Sequence, residues 1–120
     1  MSSRLRIGGG RLSGRWIGVP AKIRPTSGRV RESLMNIWTP KLPGARVLDL
    51  FAGSGVVGIE AVSRGAISTC LVERDPKVLE QLRENCLLLS QEESVVVAMN
   101  LPAGLASQPT VFRSEFELVF

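Results

Sequence analysis

The chain has 120 residues, 44% of them hydrophobic and 22% charged, which allows one modest domain with a buried core. It holds no apolar run of the roughly 18 residues needed to cross a membrane, no signal-peptide pattern at its start, no His and two Cys, which argues against a membrane span, a secreted protein and a metal centre. Its net charge of +4 is unevenly divided: residues 1–46 carry ten Lys or Arg and one acid, residues 47–120 carry five and ten.

Residues 1–28 are rich in Gly and Arg, with short apolar pieces (Leu5, Ile7; Trp16, Ile17, Val19) between turn signals. They read as a basic arm or hairpin preceding a second unit at 29–120. Arg4, Arg6, Arg11, Arg15, Lys22 and Arg24 are candidate phosphate contacts, and Trp16 is either a stacking platform or a core anchor. A basic front on an acidic remainder fits a nucleic-acid partner or, equally, a solvated tail.

From Arg29 to Trp38, apolar Val30, Leu34, Ile37 and Trp38 recur at helical spacing, with Thr26 or Ser27 as N-cap. Pro40, Pro43 and Gly44 end that helix. Strands are predicted at about Arg46–Leu50, Thr69–Glu73, Ser94–Met99 and Phe116–Phe120. A helix over about Gly55–Arg64 separates the first two. The next helix opens on Asp75 as N-cap and Pro76 at its first position. Its stripe of Val78, Leu79, Leu82, Cys86 and Leu89 has core spacing, so Cys86 reads as a small core residue. The two cysteines fit a reduced, cytoplasmic protein rather than a disulfide scaffold. Strands alternating with helices predict an incomplete Rossmann-like α/β fold, about four parallel strands with the ligand at their carboxyl ends.

Asp49-Leu-Phe-Ala-Gly-Ser-Gly55 lies where the first of these strands turns into its helix, and Glu73 ends the next strand. Gly53, Gly55 and Gly58 permit a sharp turn and a close approach of backbone to ligand, and they match GxGxxG literally. A dinucleotide must therefore be weighed. Asp49 argues against it, because a carboxylate beside a pyrophosphate costs affinity through like-charge repulsion. It favours a ligand with a cationic group, such as the amino group of S-adenosylmethionine, with Glu73 on the ribose hydroxyls. The plainer alternative is that Asp49 only caps the following turn.

Together these stretches resemble the bacterial small-subunit ribosomal RNA guanine-N2 methyltransferases. Arg6-Ile-Gly-Gly-Gly10 with Gly14-Arg15 is similar to the family's N-terminal arm, and Arg24-Pro-Thr26 with Arg29-Val-Arg-Glu-Ser-Leu34 to its motif before the first helix. Asp49–Gly55 with Gly58, Glu60-Ala61 and Ser63-Arg-Gly-Ala66 is similar to its cofactor loop and helix, and Leu71-Val-Glu-Arg-Asp75 to its ribose-binding strand end. The resemblance implies a class I S-adenosylmethionine-dependent fold and ribosomal RNA, or the assembling small subunit, as partner. It implies that Asp49, Phe51, Ala52, Gly53, Ser54 and Gly55 hold the methionyl end, that Glu73 binds the ribose and that Arg74 flanks the adenine. Asn100 stands where the family usually has an Asp near the adenine amino group, and can accept a hydrogen bond without charge. Thr26, Arg29 and Glu32 match the stretch that closes over the pocket; a helix cap and a surface i, i+3 ion pair explain them too.

The family orients the guanine amine with an Asp/Asn-Pro-Pro-aromatic turn after its fourth strand. Phe116-Glu-Leu-Val-Phe120 resembles that strand, and the sequence stops before the turn, so no catalytic residue is assigned. The expectation is a truncated, cofactor-binding portion that does not methylate alone, with an open strand edge able to self-associate.

Overall fold

The computed structural model describes residues 3–21, 23–24, 27–100 and 116–120. Strands β1 (Ser3–Arg6) and β2 (Trp16–Val19) form an antiparallel hairpin. Helix α1 (Gly28–Trp38) is capped by Ser27, whose hydroxyl accepts from the Val30 N–H. Then come β3 (Arg46–Asp49), α2 (Val56–Ser63), β4 (Ser68–Glu73), α3 (Pro76–Asn85), β5 (Ser94–Ala98) and β6 (Leu118–Val119). The Asp75 carboxylate receives the Lys77 and Val78 N–H groups, the cap expected there.

The sheet runs β5-β4-β3-β6, all parallel. β3 and β4 are buried on both faces, with Val47-Leu48 and Cys70-Leu-Val72 as their apolar middles. Since β3, β4 and β5 are successive neighbours, right-handed crossovers place α2 and α3 on one face. Their Val56, Ile59, Leu79 and Leu82 accordingly share one core with Val47 and Leu71. Leu48, Cys70, Val72 and Met99 form a smaller cluster on the other face.

Two features differ from the sequence expectation. Helix α1 turns Arg31, Met35 and Trp38 inward and leaves Val30 and Ile37 exposed. Arg31 Nε donates to the buried Glu60 carboxylate at 3.1 Å, so an arginine takes an inward place beside Met35 and Trp38, while Leu34 still packs on the core. The hairpin, in turn, is stitched to the helices. Ile7, Leu12 and Ile17 join the main core. Glu60 accepts from the Gly8 N–H and Ser63 from the Leu12 N–H, while Asn85 binds both backbone groups of Gly18.

Candidate functional site

Strand register brings the two acids to one edge. Asp49, the last residue of β3, pairs with Leu71, and β4 runs two residues further so that Glu73 overhangs it. The turn after β3 is held from below: Ala52 N–H donates to Val72 O, and Gly53 N–H to Glu73 Oε1 at 3.1 Å. Glu73 Oε2 accepts from the Arg74 and Asp75 N–H groups, both at 3.0 Å. Three backbone donors thus fix this carboxylate before any ligand arrives.

Asp49 is only 1% exposed, and its Oδ1 accepts the Phe51 N–H at 3.1 Å. Burial pushes its carboxyl up to about 6; the Phe51 N–H opposes that rise and the nearby Glu73 charge adds to it. Among the described residues no cation pairs with it. A buried carboxylate facing a recess is a strong attractor for a cationic group, which would restore the stabilisation that burial removes.

Two recesses meet at this edge. One, of about 330 Å³, is lined by Leu50, Phe51, Val72, Glu73, Arg74, Met99 and Asn100. The other, about 60 Å³, is lined among others by Asp49, Ala52, Gly53, Ser54, Arg24 and Phe120. Phe51, 78% exposed, lines both. The first has the apolar walls and fixed carboxylate suited to a nucleoside, the second the charge suited to an ammonium group, so the residues present fit S-adenosylmethionine.

Most of the residues expected to hold the cofactor are therefore brought together. Gly55 is not at the surface of either recess. It sits at φ +84° as the N-cap of α2, where a Cβ would meet Leu82 Cδ1 at 2.5 Å. Gly58 faces Thr69 and Leu71, so it serves helix–strand packing, not ligand approach. Glu32 lines a separate recess with Arg31, Glu60 and Arg64, and Arg29 is exposed on α1; the two form no ion pair with each other among the described residues.

Of the basic residues, Arg4, Arg6 and Arg15 are exposed on the hairpin. The Arg4 and Arg6 guanidiniums lie 4.9 and 5.9 Å from the centroid of Trp16, which is half-exposed. Arg11 is engaged in an ion pair with Glu93, and Arg24 lines the smaller recess. Thr26 and Lys22 lie outside the described residues. Ile23 and Phe120 on the smaller recess, and Met99 on the larger, carried no motif that would have marked them.

The family model described as Conserved hypothetical protein 95 matches residues 5–120. The chain belongs to that family. Ribosomal RNA small subunit methyltransferase D of Escherichia coli (strain K12) is 42% identical over 111 residues, covering 91% of this chain and 56% of that protein. The protein of the same name from Buchnera aphidicola subsp. Acyrthosiphon pisum is 40% identical over 87 residues, covering 70% and 45%. The chain thus spans about half the length of these curated relatives. Among solved structures, a hypothetical protein of Thermus thermophilus superposes with a TM-score of 0.82 at 36% identity, over 97% of this chain and 67% of that one. The C-terminal domain of precorrin-6Y C5,15-methyltransferase from Rhodobacter capsulatus shares the fold at 22% identity, with a TM-score of 0.68 over 85% of this chain and 51% of that one. The family membership and the incomplete Rossmann-like methyltransferase fold expected from the motifs both hold.

Proposed function

We propose that the chain is the cofactor-binding portion of an S-adenosylmethionine-dependent enzyme that methylates the exocyclic N2 of a guanine in small-subunit ribosomal RNA. The observation that carries this is the buried Asp49 carboxylate on the smaller recess, which shares Phe51 with the larger recess where Glu73 is held. In this reading Asp49 takes the amino group of the methionyl end, Glu73 the ribose hydroxyls, and Phe51, Arg74 and Asn100 surround the adenine.

Methyl transfer is an in-line displacement at carbon, so the chain's residues contribute by fixing where the sulfonium methyl points and by excluding water around it. The bound cofactor supplies the electrophilic methyl group. The hairpin offers the RNA side: Arg4, Arg6 and Arg15 for phosphates, and Trp16 for a base edge or face. Similarity to the Escherichia coli enzyme over 91% of this chain supports the substrate class.

No stretch of the sequence matches the Asp/Asn-Pro-Pro-aromatic turn that orients the amine in the family, so the 120-residue chain is expected to bind cofactor without turning over. Incubation with methyl-tritiated S-adenosylmethionine and small ribosomal subunits tests this. Retention of label on the protein with none in the RNA is the expected result. Label in the RNA would refute the division of labour, and no retention would refute the cofactor assignment.

A further inference from the structure

Asn85 ends α3 almost wholly buried, 5% exposed, and every polar atom of its side chain is used. Its Nδ2 donates to Gly18 O and to Ser54 O, each at 2.8 Å. Its Oδ1 accepts from Gly18 N–H and from Gln81 Nε2, each at 3.0 Å. This set fixes the orientation of the amide, because the flipped form would set donors against N–H groups and oxygen against two carbonyls.

Towards β2, the Asn85 amide pairs with Gly18 as a neighbouring strand would, taking both its N–H and its C=O. Towards the cofactor side it takes the Ser54 carbonyl, in the middle of the turn between Gly53 and Gly55. Those glycines stand at φ +55° and +84°, a left-handed region in which no β-carbon stiffens the chain. A planar peptide has one orientation once its carbonyl is held. Holding Ser54 O therefore sets the Ser54–Gly55 peptide plane, and with it the Gly55 N–H that closes the turn onto Ala52 O at 2.9 Å. No other side chain hydrogen-bonds the Ser54 carbonyl among the described residues.

We propose that Asn85 is a positioning residue through which the β1–β2 hairpin braces the cofactor turn, setting affinity for the amino-acid end of the cofactor. The proposal rests on the cofactor reading above and adds a residue that touches neither recess. It makes a selective prediction, because the brace reaches the turn at Ser54 while the nucleoside recess is built by Glu73, Arg74, Met99 and Asn100.

Calorimetric titration with two ligands separates the cases: S-adenosylhomocysteine, which carries the amino-acid end, and 5′-methylthioadenosine, which lacks it. Asn85→Asp keeps the shape and the accepting Oδ1 but removes the donors to Gly18 O and Ser54 O; Asn85→Leu removes all four bonds. S-adenosylhomocysteine should weaken about tenfold or more in Asn85→Asp, the scale of one buried hydrogen bond lost, while 5′-methylthioadenosine changes less than about twofold. Gln81→Met, which spares the turn, should alter neither ligand. Equal weakening of both ligands, or no change in either, overturns the proposal. So does loss of folding in both Asn85 variants, which would assign the residue to the whole domain. A wild-type chain that binds neither ligand refutes the cofactor reading itself.

Discussion

Asp49→Asn should make the protein more stable and worse at binding its ligand. In the fold the Asp49 carboxyl titrates near 6 instead of 3.8, so the folded state holds this proton more tightly than the unfolded chain does. Between these values the native state binds more protons, and stability falls as pH rises. The contribution is intact below the unfolded value, is lost as pH climbs through about 6, and is wholly gone above that. A rise of this size corresponds to about 3 kcal/mol at most. Asparagine preserves the volume and can still accept the Phe51 N–H, so the substitution removes the charge with little else. Urea unfolding at about pH 8 should show Asp49→Asn more stable by about 1–3 kcal/mol, with the gain vanishing near pH 3. Affinity for S-adenosylhomocysteine should fall about 10- to 100-fold at neutral pH, as expected when a charge-assisted hydrogen bond becomes a neutral one. Wild-type affinity should also decline below about pH 6, as Asp49 takes up its proton, and the variant should lack that decline. A variant less stable than wild type at about pH 8 would refute the reasoning, because it would mean that the charge is satisfied in the free protein.

Glu60→Ala should destabilise by about 3–5 kcal/mol in chemical denaturation, since Arg31 and Arg64 would be left without the buried carboxylate they share. Gly58→Ala should cost about 1–3 kcal/mol and lower the thermal midpoint, because its Cβ meets the Thr69 hydroxyl and Leu71 Cδ2, the latter at 2.6 Å. Replacing Arg4 and Arg6 together by Gln should weaken ribosomal RNA binding and reduce the slope of log K against log salt by about 1.4, as for two phosphate contacts on a single strand, with the thermal midpoint unchanged. An unaltered slope would remove the hairpin from the RNA surface.

The sequence was most informative where the chemistry is local. The turn after β3, the Asp75 cap with Pro76, and the strand ending in Glu73 rest on neighbours along the chain, and each lies where its motif points. The hairpin's role was less legible. Its charges made it read as an arm, yet Glu60, Ser63 and Asn85 hold it against α2 and α3 through contacts separated by more than fifty residues. Deleting residues 1–23 would therefore remove the core residues Ile7, Leu12, Ile17 and Val19 together with the cations, which is why charge substitutions are the sharper test of RNA binding. The inward face of α1 was half legible, with Leu34 and Trp38 on the core but Val30 and Ile37 off it, for a related reason. Hydrophobic periodicity has no term for an arginine drawn inward by a buried glutamate, and it passes over an asparagine such as Asn85 at the end of an apolar stripe. The glycines showed the reverse. All three fit a ligand-binding fingerprint, while Gly55 and Gly58 are required by Leu82, Thr69 and Leu71 packed against them.

Asp49 and Glu73 together are proposed as a site for an adenosine ligand with a cationic end. Calorimetric titration of the 120-residue chain with S-adenosylhomocysteine and, separately, with a nicotinamide dinucleotide tests it most directly. Saturable binding of S-adenosylhomocysteine, with none of the dinucleotide, is the predicted result. Preferential binding of the dinucleotide would contradict the account, because a pyrophosphate would then be accepted beside the buried Asp49 carboxylate.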